Sequence, residues 1–487
     1  MSVIILALIV IGIVTVVGLW IVSKESIPDE NSILRKMAVA GSFYPLNKNE
    51  LNSQLNKYLT VAKKSDGKTR ILIAPHAGLV YSGKTAAFAY KQVEGQNNIK
   101  RVIIIGSSHK NIFDYAALLT SGSFETPLGD LEIDQDFSEM ILSPSQKIIS
   151  DAKVHEGDHV LEMQAIFVKK VLPKAKIIPI LVSQTTPELV SALAFRIAQN
   201  MDEETLLIIS TDLSHYPDYE TANLVDKNTI ESILSFSEIR QMENIETTAC
   251  GIDAIKVAHK VAQLLGIDKP VLLKYENSGD TSGDKSRVVG YAAIGFFGDQ
   301  IDFSIPQLSD DAKKEALELS RKTLREFVIQ KSVTQVSGIK NAELLLPLGA
   351  FVTLKKDGVL RGCIGEFEPI KTLAQVVIDK TIAAASEDLR FDPITSEELE
   401  NISLEISVMT PKRKIANYST IKLGQDGVVI RNGNYSGTFL PQVATEAGWS
   451  LETFMEQLCS QKAGLPIKCY LDPKTEIFTY QTQTFQN

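Results

Sequence analysis

Short, uninterrupted apolar runs separated by helical patterns constrain the fold of this chain more than any other feature. RILIA (residues 70–74), RVIII (101–105), KIIPILV (176–182) and TLLIIS (205–210) lack the polar alternation of a half-solvated strand. Between them, HVLEMQAIFVKKVL (159–172) and ELVSALAFRIAQN (188–200) place apolar residues at helical spacing. Continuous strands alternating with helices predict a largely parallel sheet covered on both faces. RVVGYAAIGFF (287–297) reads as its closing strand.

At 487 residues the chain is too long for one core. GDQIDFSIPQ (298–307) marks a boundary, after which Ser309 is an N-cap and Asp310 and Asp311 suit the first turn of an amphipathic helix. The pattern then changes. AFVTLKKDGVLRGCIG (350–365) reads as a hairpin turning at Asp357-Gly358, and ISLEISVM (402–409) alternates like a half-buried strand. SLETFMEQLCSQKAG (450–464) reads as a helix capped by Ser450 and stopped by Gly464. This second part is therefore expected to be α+β.

At the N-terminus, VIILALIVIGIVTVVGLWIV (3–22) has no charge and is long enough for a bilayer, which predicts a transmembrane anchor over 1–22. A polar tether over 23–36 follows. Lys24, Arg35 and Lys36 lie after the span, so the positive-inside rule places the body in the cytoplasm. The expected organisation is completed by an α/β domain over 37–298, a linker over 299–308 and an α+β domain over 309–487. A formal net charge of -9 argues against nucleic acid as the main partner. The four cysteines are scattered without a close pair, which fits a reduced compartment rather than a disulfide scaffold.

Three of the apolar runs lead directly into histidines: RILIA into His76, RVIII into His109 and TLLIIS into His215. Ligands of open α/β sheets bind beyond the carboxyl ends of the strands, so three imidazoles there are placed to share one crevice. Cys250 precedes a helical pattern in TTACGIDAIKVAHKVAQLLG (247–266), where exposed N–H groups would stabilise a thiolate. Two imidazoles and a thiolate suit iron, copper or zinc rather than magnesium or calcium. An imidazole side chain makes His215 a candidate proton-exchanging group, with Asp212 near it in sequence. HEGDH (155–159) matches the H-E-x-x-H pattern of zinc proteases, but Gly157 weakens the helix which that chemistry requires.

PHAGLVYSG, GSSH, DHVLEMQ, STDLSHY and TTACG, in this order, resemble the Memo family, also called AmmeMemoRadiSam system protein B. The resemblance implies the fold of class III extradiol dioxygenases. It further implies that His76, His109 and Cys250 bind iron or copper, with Asp212, His215 and Tyr81 acting in the pocket and His159 nearby. The dioxygenases carry a carboxylate where this chain has Cys250, so ring cleavage does not transfer. LRGCIG (360–365), AAASEDLRFDPI (383–394) and FLPQVATEAGWSLETFMEQLCSQKAGLP (439–466) resemble the AMMECR-type family, AmmeMemoRadiSam system protein A. There Cys363 and Arg361 share a strand face and form a candidate second site. The two resemblances imply a metal-dependent redox enzyme working with a radical-SAM partner. The alternative is a non-catalytic metal- or ligand-binding protein using the same pocket.

Overall fold

The computed structural model describes residues 33–239, 247–299, 301, 307–367, 371–410, 412–415 and 417–486. The first domain comprises β1 (Leu34–Arg35), α1 (Lys48–Val61), β2 (Thr69–Ala74), α2 (Leu79–Lys91), β3 (Arg101–Ser107), β4 (Ala116–Leu118), β5 (Ser123–Phe124), β6 (Leu131–Glu132) and β7 (Ile148–Ser150). It continues with α3 (Val160–Val171), β8 (Lys176–Val182), α4 (Pro187–Asn200), β9 (Thr205–Ser210), α5 (Tyr219–Leu234), α6 (Ile252–Leu264), β10 (Lys269–Asn277) and β11 (Gly290–Phe297).

Eight of these strands form one sheet in the order β10-β11-β2-β9-β3-β8-β4-β7. The central neighbours β2, β9, β3 and β8 run parallel, as their uninterrupted Ile, Leu and Val predict. β11 is not the closing strand that the sequence suggests: it runs antiparallel to β2 on one side and to the edge strand β10 on the other. Alternate residues divide between the two faces: Ile71, Ile73, Ile103 and Ile105 pack with α4, α5 and α6, whereas Leu72, Val102 and Ile104 pack with α1, α2 and α3. The result is an α/β/α sandwich.

The second domain begins with α7 (Asp310–Arg325), which is capped by the Ser309 side chain on the amide of Ala312. β12 (Gly349–Lys356), β13 (Val359–Glu366), α8 (Leu373–Ser386), β14 (Ile402–Met409), β15 (Arg413–Ile415), β16 (Gly427–Asn432), β17 (Tyr435–Phe439), α9 (Leu451–Gln457), β18 (Glu476–Tyr480) and β19 (Thr482–Gln486) follow. The predicted hairpin is β12–β13. Its turn places Asp357 at φ 51° and Gly358 at φ 81°, the left-handed pair of a tight hairpin. One antiparallel sheet is ordered β13-β12-β14-β19 and a second β15-β18-β16-β17. α7 and α8 cover the first sheet, and α9 packs in a smaller core on the second.

Three further expectations are corrected. Among the described residues no helix is long and apolar enough to cross a membrane. A span needs ~20 apolar residues, and the longest continuous helical run, α7 with the π-helical turn after it, is rich in Lys, Arg and Glu. The expected anchor over 1–22 and the tether residues 23–32 lie outside the described residues. The transmembrane element and the single-pass localisation with a cytoplasmic body are therefore withdrawn. Second, residues 34–35 belong to the first domain rather than to a tether: β1 pairs with β5, and Arg35 is buried. Third, Cys459 and Cys469 are buried as a disulfide, with Cys469 in a short 3-10 turn. Scattered positions in sequence did not make these two thiols isolated in space.

Candidate metal centre

Neighbouring parallel strands end together, so the loops after β2, β9 and β3 converge. Register aligns Ala74 with Ser210 and Gly106 with Ser210. His76 and Asp212, each two residues beyond its strand's aligned end, therefore lie side by side. The amide of His76 donates to Asp212 Oδ1 at 2.8 Å. His109 follows β3 and is fixed by Asp158, whose Oδ2 accepts from Ser108 Oγ at 2.8 Å and from the His109 amide at 3.0 Å. Burial would raise the Asp158 pKa, but the amides of Val160 and His109 and the Ser108 hydroxyl prevail and lower it.

The hydrogen-bond network decides the histidine tautomers. Ser210 Oγ donates its one proton to the carbonyl of Val160 at 2.7 Å and accepts from Gln164 Nε2 at 2.8 Å. At 3.0 Å from His76 Nδ1 it must therefore accept, so His76 is protonated on Nδ1 and its Nε2 carries a lone pair. His109 Nδ1 donates to the carbonyl of Ser107 at 3.0 Å, which likewise leaves Nε2 bare. These two Nε2 atoms are 3.3 Å apart. Burial, then the neighbouring His109, hold the His76 pKa well below the ordinary imidazole range. Facing lone pairs repel unless a cation or a shared proton lies between them.

Cys250 Sγ is 3.4 Å from His76 Nε2. Its approach depends on Gly251, where a Cβ would fall 2.6 Å from Thr211 Cβ. Sγ accepts from the Asp212 amide at 3.2 Å. The helix-start expectation needs adjustment here. α6 begins at Ile252, and burial followed by the Asp212 charge pushes the thiol up to about 12 rather than down. Without a cation the thiol stays protonated; a metal ion reverses that balance. The two separations that involve His76 Nε2, 3.3 Å to His109 and 3.4 Å to Cys250, match donors ~2.0–2.3 Å from a tetrahedral centre, which lie about 3.3–3.6 Å from one another.

His215 repeats the His109 arrangement: Nδ1 donates to the carbonyl of Leu213 at 2.9 Å, which leaves Nε2 free. Its loop is held by the buried Asp226, whose Oδ1 accepts from the Ser214 amide at 2.9 Å. Burial raises the pKa of Asp212. Asp212 Oδ1 serves the His76 backbone rather than orienting an imidazole through Nδ1. Tyr81 lies in the first turn of α2 and is 46% exposed, so it is placed at the rim. His159 comes closer than sequence implied. Its donor atom and those of His76 and His109 all lie within 4.8 Å of one another.

His155 and His159 do not share a helix, which removes the protease pattern. His155 is in a 3-10 turn with Nε2 on the carbonyl of Ala117, and Gly157 at φ 69° separates it from α3. Sequence reasoning missed Ser210 and Gln164, which set the His76 tautomer. Gln164 stands inside DHVLEMQ, but its partners are distant in the chain. In the second domain the expected pairing of Arg361 with Cys363 is not made. Arg361 forms two 3.0 Å contacts with Glu398, whereas Cys363 Sγ accepts from Thr353 Oγ1 at 3.3 Å and its amide donates to Asp388 at 2.9 Å.

Residues 35–295 match the family model described as Memo-like protein, and residues 317–485 match that described as AMMECR1. A MEMO1 family protein of Caldivirga maquilingensis is 34% identical over 280 residues, covering 54% of this chain and 99% of the relative. One from Sulfurisphaera tokodaii is 34% identical over 283 residues, again covering 54% of this chain and 99% of the relative. A solved structure of an uncharacterized protein from Pyrococcus horikoshii is 36% identical, covers 37% of this chain and 93% of its own, and has a TM-score of 0.34.

Proposed function

Because the chain belongs to the Memo-like protein family through residues 35–295, we propose that its first domain binds one iron or copper ion through His76, His109 and Cys250. Zinc is the redox-inert alternative for the same donors. A single observation supports the reading: two unprotonated Nε2 atoms stand 3.3 Å apart, with a thiol 3.4 Å from one of them. The ion would supply Lewis-acid or electron-transfer chemistry. His215, with its free Nε2, exchanges a proton with the bound substrate, and buried Asp212 holds the His76 turn in place. The fused AMMECR1 region supports a role in a multi-step redox reaction shared with a radical-SAM protein, in which the second domain binds substrate or performs a further step.

Metal analysis of the full-length protein purified without oxygen tests this. About one transition-metal ion per chain is expected, and less than a tenth of that for His76→Ala and Cys250→Ala. Wild-type protein lacking such an ion, with both variants indistinguishable from it, defeats the proposal. His215→Ala should keep its metal while losing turnover; retained turnover would favour a metal- or ligand-binding role without catalysis.

A further inference from the structure

Building on that reading, we propose that His159 is itself a metal ligand, making the centre a three-imidazole, one-thiolate set. The rings of His76, His109 and His159 stand at pairwise centroid separations of 5.0, 5.8 and 5.4 Å, with interplanar angles of 79°, 86° and 82°. An imidazole centroid lies about 1.1 Å behind its ligating nitrogen. With a bond of ~2.0–2.1 Å, each ring of a tetrahedral set is therefore about 3.2 Å from the ion and about 5.2 Å from the next ring. The three observed separations cluster at that value. A pair of packed aromatic rings would explain one such spacing, but here all three spacings close around one point.

Two further features agree. Among the described residues the His159 ring makes no hydrogen bond, so either nitrogen is free to bind. Its neighbour Asp158 joins the two loops: Oδ2 takes the His109 amide at 3.0 Å and Oδ1 takes the Val160 amide at 3.1 Å. One carboxylate thus fixes the backbone on either side of His159 relative to His109. Phe43 abuts the outer edge of His159 at 5.0 Å between centroids and limits the directions in which the ring turns. Cys250 Sγ, 3.4 Å from His76 Nε2, stands outside the group of three imidazole donors that lie within 4.8 Å of one another, so it must draw inward to complete a four-donor set, after which a substrate ligand must enlarge the coordination shell or displace a donor.

The experiment loads full-length protein with Cu(II) alone and counts coordinated imidazoles by pulsed electron paramagnetic resonance. Wild type should show three, His159→Phe two, and Cys250→Ser three with the sulfur-to-copper absorption band gone. His159→Phe preserves ring packing against Phe43, and its circular dichroism should match wild type while copper affinity falls at least about 10-fold. Two imidazoles in both wild type and His159→Phe, with equal affinities, overturn the His159 assignment and leave the parent reading standing. Failure of wild type to bind copper at all overturns both.

Discussion

Buried imidazoles make this protein sensitive to acid. Burial, with Arg35 contributing, holds the His155 pKa to about 4 against the opposing hydrogen bond to Ala117. Burial likewise lowers His76, His159 and His259. An unfolded imidazole titrates near ~6.5, so between ~6.5 and ~4 the unfolded chain takes up protons that the native one refuses. Stability is therefore complete above ~6.5 and declines as pH falls toward 4. Thermal melting of the metal-free protein should show Tm dropping across that window, with a shallower slope in His155→Gln. Equal slopes would place the acid sensitivity elsewhere. At this scale sequence revealed residues whose identity announces chemistry: His76, His109, His215 and Cys250 stood out through their position after strands or before a helix. Ser210 and Gln164 did not, because a hydroxyl and an amide acquire their role only from what folding sets beside them.

Among the elements, the contact of α3 with the N-terminal strand carries the most concentrated polar burial. The Glu162 carboxylate is fully buried and receives the Arg35 guanidinium, the amides of Ala38 at 2.7 Å and Val39 at 3.0 Å, and the Tyr44 hydroxyl at 2.5 Å. Removing one partner leaves the other charge stranded. Glu162→Ala should cost about 3–5 kcal/mol, and Arg35→Met added to it should recover a large part in a chemical denaturation cycle. Additive losses would mean that the pair does not act as a unit. The parallel strands and the helices α3, α4 and α6 were readable because their apolar periods are unambiguous. β10 was not: Lys269–Asn277 mixes Lys and Glu into an exposed edge and lacks the density that marked the buried strands. The Cys459–Cys469 disulfide was equally hidden, since spacing alone does not show that a helix end and a turn meet.

Over the whole molecule the two domains share a core. Leu344, Leu346 and Leu348 join the same apolar cluster as Leu193 and Ile197 of α4 and Val261 of α6. Gly298 and Asp299, which leave the first domain, are pinned by carbonyl contacts to Arg70 at 2.9 and 3.1 Å. Calorimetry should therefore give one unfolding transition for the described body. Leu344→Ala should cost about 2–5 kcal/mol and separate that transition into two. Two transitions already present in wild type would show that the domains are energetically independent. Sequence placed a linker over 299–308 but did not foretell this union, because a linker's composition does not reveal which faces it brings together.

The spread of the donors along the chain also orders events in time. His76 and Cys250 are 174 residues apart, so at ~5–20 residues per second a ribosome needs roughly 9–35 s to deliver the sulfur after the first imidazole. No nascent fragment ending before Cys250 holds the full set of proposed donors. On the proposed reading, capture of an ion would belong to a late stage of synthesis, once the strands flanking the crevice have found their register and Cys250 has followed them.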